Sequence, residues 1–120
     1  MGKITIKEKS YAFALRIIAL YKDLTARNEF VLSKQVLRSG TSIGANVAEA
    51  SAGQSRADFI SKMSIASKEA RETEYWLSLL RDSALVESSL VDPLLAEASE
   101  IGKMLTAIVK TAQENQKARR

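Results

Sequence analysis

Apolar residues recur at three- and four-residue intervals through most of the chain, and this spacing predicts four amphipathic helices. The first covers about residues 6–26. Thr5 with Glu8 three positions on has the spacing of a capping box. Ile17, Ile18, Leu20, Tyr21 and Leu24 carry much of its apolar surface, with Tyr11, Phe13 and Leu15 upstream. A short turn around Asn28 leads into a second helix over about residues 29–51, with Leu32, Val36, Gly40, Ile43, Val47 and Ala50 in helical register. Ala52-Gly53-Gln54 breaks the pattern, and Ser55 followed by Asp58 marks another start ahead of Phe59.

The third helix, about residues 56–83, carries two stripes. One is Phe59, Met63, Ala66, Ala70, Thr73, Leu77 and Leu80. The other is Ile65, Glu69, Glu72, Trp76 and Leu79, apolar at its ends and acidic in the middle. A surface helix of a monomer needs only one apolar stripe, so the second predicts contact beyond the helix's own bundle. Asp92-Pro93 suits an N-cap and first turn, with Ser88 or Ser89 as alternative starts. The fourth helix then runs to about residue 113, with Leu94, Ala98, Ile101, Leu105, Ile108 and Ala112 on one face. Four such helices with short connections predict a single all-α domain, residues 1–120, folded as an antiparallel up-down-up-down four-helix bundle.

Within the second helix, RSGTSIGANVAEA (residues 38–50) is stripped of bulk. Gly40 and Gly44 would each weaken a helix interior by about 1 kcal/mol relative to Ala. Either the helix stops near Gly40 and restarts, or a neighbour comes close across Gly40, Gly44 and Ala48; the second reading is preferred. Ser42 and Asn46 would then hydrogen-bond across that contact, since buried hydroxyls and amides need partners. A ligand pocket at this thin place is a third alternative.

The 120 residues include neither Cys nor His. Thiol nucleophiles, thiolate metal sites and disulfides are excluded, along with the commonest general base and neutral metal ligand. No apolar run approaches the ~20 residues needed to span a bilayer. The start MGKITIKEKS lacks a signal-peptide core, so a cytoplasmic location without membrane association is expected. Net charge is +4 but unevenly spread, at +5 over residues 1–40, −5 over 41–100 and +4 over 101–120. An antiparallel bundle would gather Lys3, Lys7, Lys9, Arg56, Lys110, Lys117, Arg119 and Arg120 at one end. Such a pole could hold nucleic-acid phosphates, or it could be a solvated end whose cations stabilise the last helix dipole.

Glu69, Glu72 and Glu74 crowd the middle of the third helix, but a di-iron bundle requires Glu-x-x-His pairs. An ion-pair network with basic residues such as Arg38, across a subunit interface or within one chain, is the expected role. Glu49 is likewise expected as a salt-bridge partner rather than a general base. Trp76 with Tyr75 reads as core or interface filling in preference to a base-stacking platform. GTSIG lacks the lysine and strand context of a phosphate-binding loop. Neither cofactor nor metal is expected, and the chain is not expected to be an enzyme.

Three segments, SYAFALRIIALYKDL (10–24), FVLSKQVLRSGTSIGANVAEA (30–50) and SRADFISKMSIASKEARETEYWLSLL (55–80), resemble the bacterial four-helix-bundle family often encoded in intervening sequences of large-subunit ribosomal RNA genes. Many relatives carry Pro at the place of Gly44 and Gly at that of Ala50; the first difference implies a less kinked second helix here. The resemblance implies a bundle that assembles as a ring-like homopentamer, with Arg38, Ser42, Asn46, Glu49, Glu69, Glu72 and Trp76 in structural roles. A related branch, the accessory variability protein of diversity-generating retroelements, binds nucleic acid and a reverse transcriptase through a strongly basic surface. This chain, with its acidic middle, departs from that basicity. The leading expectation is a non-enzymatic homo-oligomeric scaffold or adaptor. The alternative is an RNA- or DNA-binding accessory protein that uses the basic pole, in company with a reverse transcriptase.

Overall fold

Thr5 opens the first helix. Its side chain accepts the Glu8 N–H at 3.1 Å, while the Glu8 carboxylate accepts the Thr5 N–H at 3.1 Å. Two donors without partners inside the helix are thereby satisfied reciprocally. In the computed structural model, which describes residues 4–53 and 55–119, α1 spans Ile6–Ala26, α2 Leu32–Ser51, α3 Arg56–Asp82 and α4 Ser88–Ala118.

α1 ends in a tight reversal. Asn28 adopts φ 64°, and around it the Glu29 N–H donates to the Leu24 carbonyl at 2.9 Å and the Asn28 N–H to that of Thr25 at 3.0 Å. This pair of bonds seals a helix around a left-handed residue. The chain is still completing that reversal at Glu29, so α2 starts at Leu32 instead of near residue 29. Glu29 acts from outside the helix, its carboxylate accepting the N–H groups of Val31 (3.2 Å) and Ser33 (2.7 Å). α2 then runs unbroken through Gly40 and Gly44, which removes the alternative of a stop and restart there.

Ser55 caps α3, accepting the Asp58 N–H at 3.0 Å. At the other end Ala84 is left-handed at φ 61°, its N–H bonded to the Arg81 carbonyl at 3.0 Å. α4 is longer at both ends than residues 93–113, using the alternative start at Ser88. Val86 and Val91 are buried and fix the chain before Pro93 is reached. Pro93, sixth in the helix, withdraws only the N–H that would meet the Ser89 carbonyl, and Ser89 is exposed to water. Asp92 does not cap; it accepts a bond from Arg81 at 3.3 Å.

Consecutive helices pack together, α4 returns to α1, and among the described residues the backbones of the two diagonal pairs stay apart. Cross-helix pairs fix the directions. Gly40 faces Ile17 and Gly44 faces Ser10; Thr73 bonds Ser39 and Lys62 pairs with Glu49; Ser67 meets Thr106 and Arg81 meets Asp92. Each pair runs antiparallel, giving an up-down-up-down four-helix bundle. Phe13, Ile17, Val36, Ile43, Val47, Leu77, Leu80, Ile101 and Leu105 fill its centre. The molecule measures 53 × 28 × 25 Å, its long axis close to the ~46 Å expected of α4 at 1.5 Å per residue. Contacts are sparsest between α1 and α4, where Lys9 pairs with Glu100 at 3.3 Å and Arg16 with Glu97.

Candidate functional site

The small-residue segment of α2 is a seam inside the subunit. A methyl at Gly40 would stand 2.8 Å from Ile17 Cγ1, and one at Gly44 3.3 Å from the Ser10 carbonyl oxygen, so α1 presses directly on α2 there. Ala48 is exposed and outside this contact. Steps of four residues drift about 40° around a helix, which carries the third member of the series off the seam. Ser42 and Asn46 do not bond across it either. The Ser42 hydroxyl donates to the Arg38 carbonyl at 2.5 Å and the Asn46 amide to the Ser42 carbonyl at 2.9 Å, both within α2, as short polar side chains commonly do.

The ion-pair network forms between α2 and α3 of one chain. Arg38 Nη2 donates to Glu72 Oε1 at 2.6 Å and Nη1 lies 3.3 Å from Glu69 Oε2. Trp76 Nε1 donates to the same Glu72 oxygen at 3.4 Å. The Arg38 hydrogen bond holds the Glu72 carboxyl below the usual carboxylate range. Glu69 is the more buried of the two, and that burial pushes its carboxyl up despite Arg38. Arg38 itself is raised, first by the bond to Glu72. Glu74 stands apart, facing α4 near Gly102. Glu49 pairs with Lys62 at 3.4 Å.

The outer stripe of α3 stays partly uncovered. Of its members Ile65 is 39% and Leu79 36% exposed, while Trp76 packs against the core edge, its ring 5.1 Å from that of Tyr75, which lies beside the stripe and is 58% exposed. A second apolar face lies on α1, where Tyr11 and Leu15 are 68% and 54% exposed, with Ile4 just ahead of the helix 66% exposed. The sequence offered a signal for it: Tyr11, Leu15 and Ile18 are four and three residues apart. Phe13 and Ile17, interleaved with them, merge two faces into one apolar run when the residues are read in order.

Of the basic residues, Lys7 stands at the start of α1, Arg56 at the start of α3, and Lys110, Lys117 and Arg119 at the end of α4, which the antiparallel topology brings to one pole. None of these has a carboxylate within ion-pair distance among the described residues. Lys9 instead pairs with Glu100. Lys3 and Arg120 lie outside the described residues. Beside the pole, Arg56, Phe59, Ile108, Thr111, Ala112 and Asn115 line an open groove between α3 and α4.

Among the described residues no group of three or more metal-ligating side chains converges, and no helix is long and apolar enough to cross a membrane. No curated protein matches the chain. A crystal structure of a protein of unknown function from the S23 ribosomal protein family of Bacteroides thetaiotaomicron is 52% identical, with a TM-score of 0.86, covering 88% of this chain and 99% of that one. The profile described as "23S rRNA-intervening sequence protein" matches residues 2–107. Family and fold together fit a helical-bundle protein. Over nearly its whole length, then, the chain carries the pattern of the 23S rRNA-intervening sequence proteins, and it belongs to that family.

Proposed function

We propose that the protein is a non-enzymatic scaffold or adaptor that works as a homo-oligomer, in its closed form a ring-like homopentamer. One observation carries this reading: α3 leaves Ile65 and Leu79 of its outer stripe, and Tyr75 beside them, exposed although Met63, Ala66, Ala70, Thr73, Leu77 and Leu80 of its core stripe are buried. Exposed apolar residues aligned along one helix mark an interaction surface more than scattered ones do. Arg38, Glu69 and Glu72 do not bridge subunits in this reading; they fix the orientation of Trp76 at the edge of that surface. Static light scattering at micromolar concentration tests the proposal. A discrete mass near five times 13.2 kDa is expected, and a mass equal to one chain overturns it.

A second reading rests on the unpaired cations of the basic pole. There the protein would bind RNA or DNA through phosphate contacts by Lys7, Arg56, Lys110, Lys117 and Arg119, with Lys3, Lys9 and Arg120 adjoining in sequence. Binding would fall steeply with salt and weaken when Lys117, Arg119 and Arg120 are neutralised together. Absence of binding at low salt refutes it. In its extended form the protein would act beside a reverse transcriptase, which co-purification with such an enzyme would test.

A further inference from the structure

The groove beside the basic pole exists because the helices end at different heights. Lys9 reaches Glu100, yet only three residues of α1 precede Lys9 while eighteen of α4 follow Glu100. α4 therefore outruns its neighbour by at least about two turns. Its core stripe does not stop there: Ile101 and Leu105 are buried, and Ile108 and Ala112 continue the same face half-buried. Ile108, Thr111 and Asn115 stand about three to five turns beyond Glu97 and Glu100, on the face that α1 covers lower down. With the half-buried Phe59 of α3 they line an open trough of about 650 Å³.

We infer, resting on the adaptor part of the reading above, that this groove seats a short amphipathic helix of a partner protein, apolar along one stripe and acidic at the end nearest the pole. The lining asks for apolar side chains, with Thr111 and Asn115 as hydrogen-bonding groups among them. A helix presents apolar side chains every three or four residues and lays that stripe into a groove of this kind. It would restore from outside the layer that α1 no longer supplies. A small ligand fits less well, because the trough is open and ligand pockets bury ~70–90% of what they hold.

Charge selects an acidic partner. Arg56 lines the groove, and the Ser67–Thr106 contact sets it level with about residue 117 of α4. Arg119, four residues beyond Asn115 and still right-handed in its backbone, continues the same face. Neither arginine has a carboxylate within ion-pair distance among the described residues. The nearby acids turn elsewhere. Asp58 lies in the hollow with Glu49 and Lys62 on the α2 side, Glu8 is held by Thr5, and Glu114 is about 200° around α4 from Ala112. Two guanidiniums at one end of an apolar trough match carboxylates at one end of an apolar stripe. Nucleic acid matches less well. Base stacking needs an open aromatic face, whereas Phe59 is packed against the core, and only two cations meet the groove.

Fluorescence anisotropy with the full-length protein tests this, using a labelled helical peptide of about 15 residues with leucines on one stripe and glutamates at its ends. One control peptide carries lysines for the glutamates and another serines for the leucines. The glutamate peptide is expected to bind saturably, and each control at least about fivefold more weakly. Arg56→Glu/Arg119→Glu should reverse the preference, so that this variant binds the lysine peptide better than the glutamate peptide. Ala112→Gln puts a good helix former into the groove and should weaken the glutamate peptide at least about fivefold, with helicity unchanged by circular dichroism. Equal binding of the glutamate and lysine peptides, or binding untouched by Ala112→Gln, overturns the proposal. So does a labelled oligouridine that binds more tightly than the glutamate peptide and displaces it, which would assign the arginines to phosphates. A second copy as occupant would show in light scattering as an assembly whose mass Ala112→Gln lowers, and that too overturns it. A self-assembling protein that binds no peptide refutes the groove and leaves the scaffold reading standing. A monomer that binds the glutamate peptide supports the groove and removes the ring.

Discussion

Gly40, Gly44 and Gly102 allow one substitution, Gly→Ala, to be compared in three surroundings. All lie inside helices, where Ala is intrinsically better by about 1 kcal/mol. At Gly102 the new methyl would meet Ala70 Cβ at 3.7 Å and Glu74 Oε2 at 3.9 Å. These are ordinary contacts, so most of the gain survives and Gly102→Ala should stabilise by about 0.5–1 kcal/mol. At Gly40 the methyl would stand 2.8 and 2.9 Å from Ile17 Cγ1 and Cγ2, well inside the ~3.5–4.0 Å optimum for carbon pairs. Ile17 is fully buried and β-branched, with one strongly preferred helical rotamer, so it has nowhere to turn. Moving α1 away costs about 1–3 kcal/mol, leaving Gly40→Ala destabilised by up to about 2 kcal/mol after the propensity gain. Gly44, whose methyl would meet Ser10 backbone atoms at 3.3 and 3.4 Å, should fall between. Urea unfolding followed by helical circular dichroism gives the order, at one fixed protein concentration because association adds to apparent stability. Ile17→Ala removes both clashing carbons, so combined with Gly40→Ala it should lose at least about 1 kcal/mol less than the two separate losses added. A Gly40→Ala protein more stable than the parent, or strictly additive losses, would refute the close-packed seam.

Ala84 holds a left-handed conformation at φ 61° that is unfavourable for any residue with a Cβ, so Ala84→Gly should stabilise by about 1 kcal/mol, read as a higher urea midpoint. Glu29→Ala deprives α2 of its external cap and should cost about 0.5–2 kcal/mol by the same assay. For pH, Glu72 has a depressed folded pKa, so its stabilisation is present above the ordinary carboxylate pKa of about 4.3 and is lost as pH falls through its own lower value. Glu69 is raised and acts oppositely: its contribution is present in acid and fades as pH rises through its folded pKa. Glu72→Gln should therefore cost stability at pH 7 with the deficit vanishing in acid, while Glu69→Gln costs less at neutrality. Equal deficits at pH 7 would contradict the assignment.

Periodicity was enough to read the bundle because each helix core stripe is continuous and each start except those of α2 and α4 has a Ser or Thr N-cap. Those two starts were misplaced for definite reasons. Glu29 is a good helix former that here serves as a cap, and Pro93 looks like a first-turn residue although the buried Val86 and Val91 anchor the chain ahead of it. The pairing of Gly40 and Gly44 was legible as close contact, but the drift that carries Ala48 into solvent needed the helix in place. The Arg38–Glu69–Glu72 cluster was legible as residues, whereas its location inside one chain depends on the α2–α3 register. The α1 face was hidden because Tyr11 and Leu15 alternate with Phe13 and Ile17, which point inward.

The border between the first and last helices has a consequence for how the molecule breathes. It is the thinnest contact in the bundle and is fastened at its rim by charge pairs, Lys9 with Glu100 and Arg16 with Glu97, which dissolved ions weaken over a Debye length of about 8 Å at physiological strength. Local opening therefore starts along this border, and amide protons of α1 and the middle of α4 exchange before those of α2 and α3. A cylinder of four staves has one hoop looser than the rest, and added salt loosens that one first.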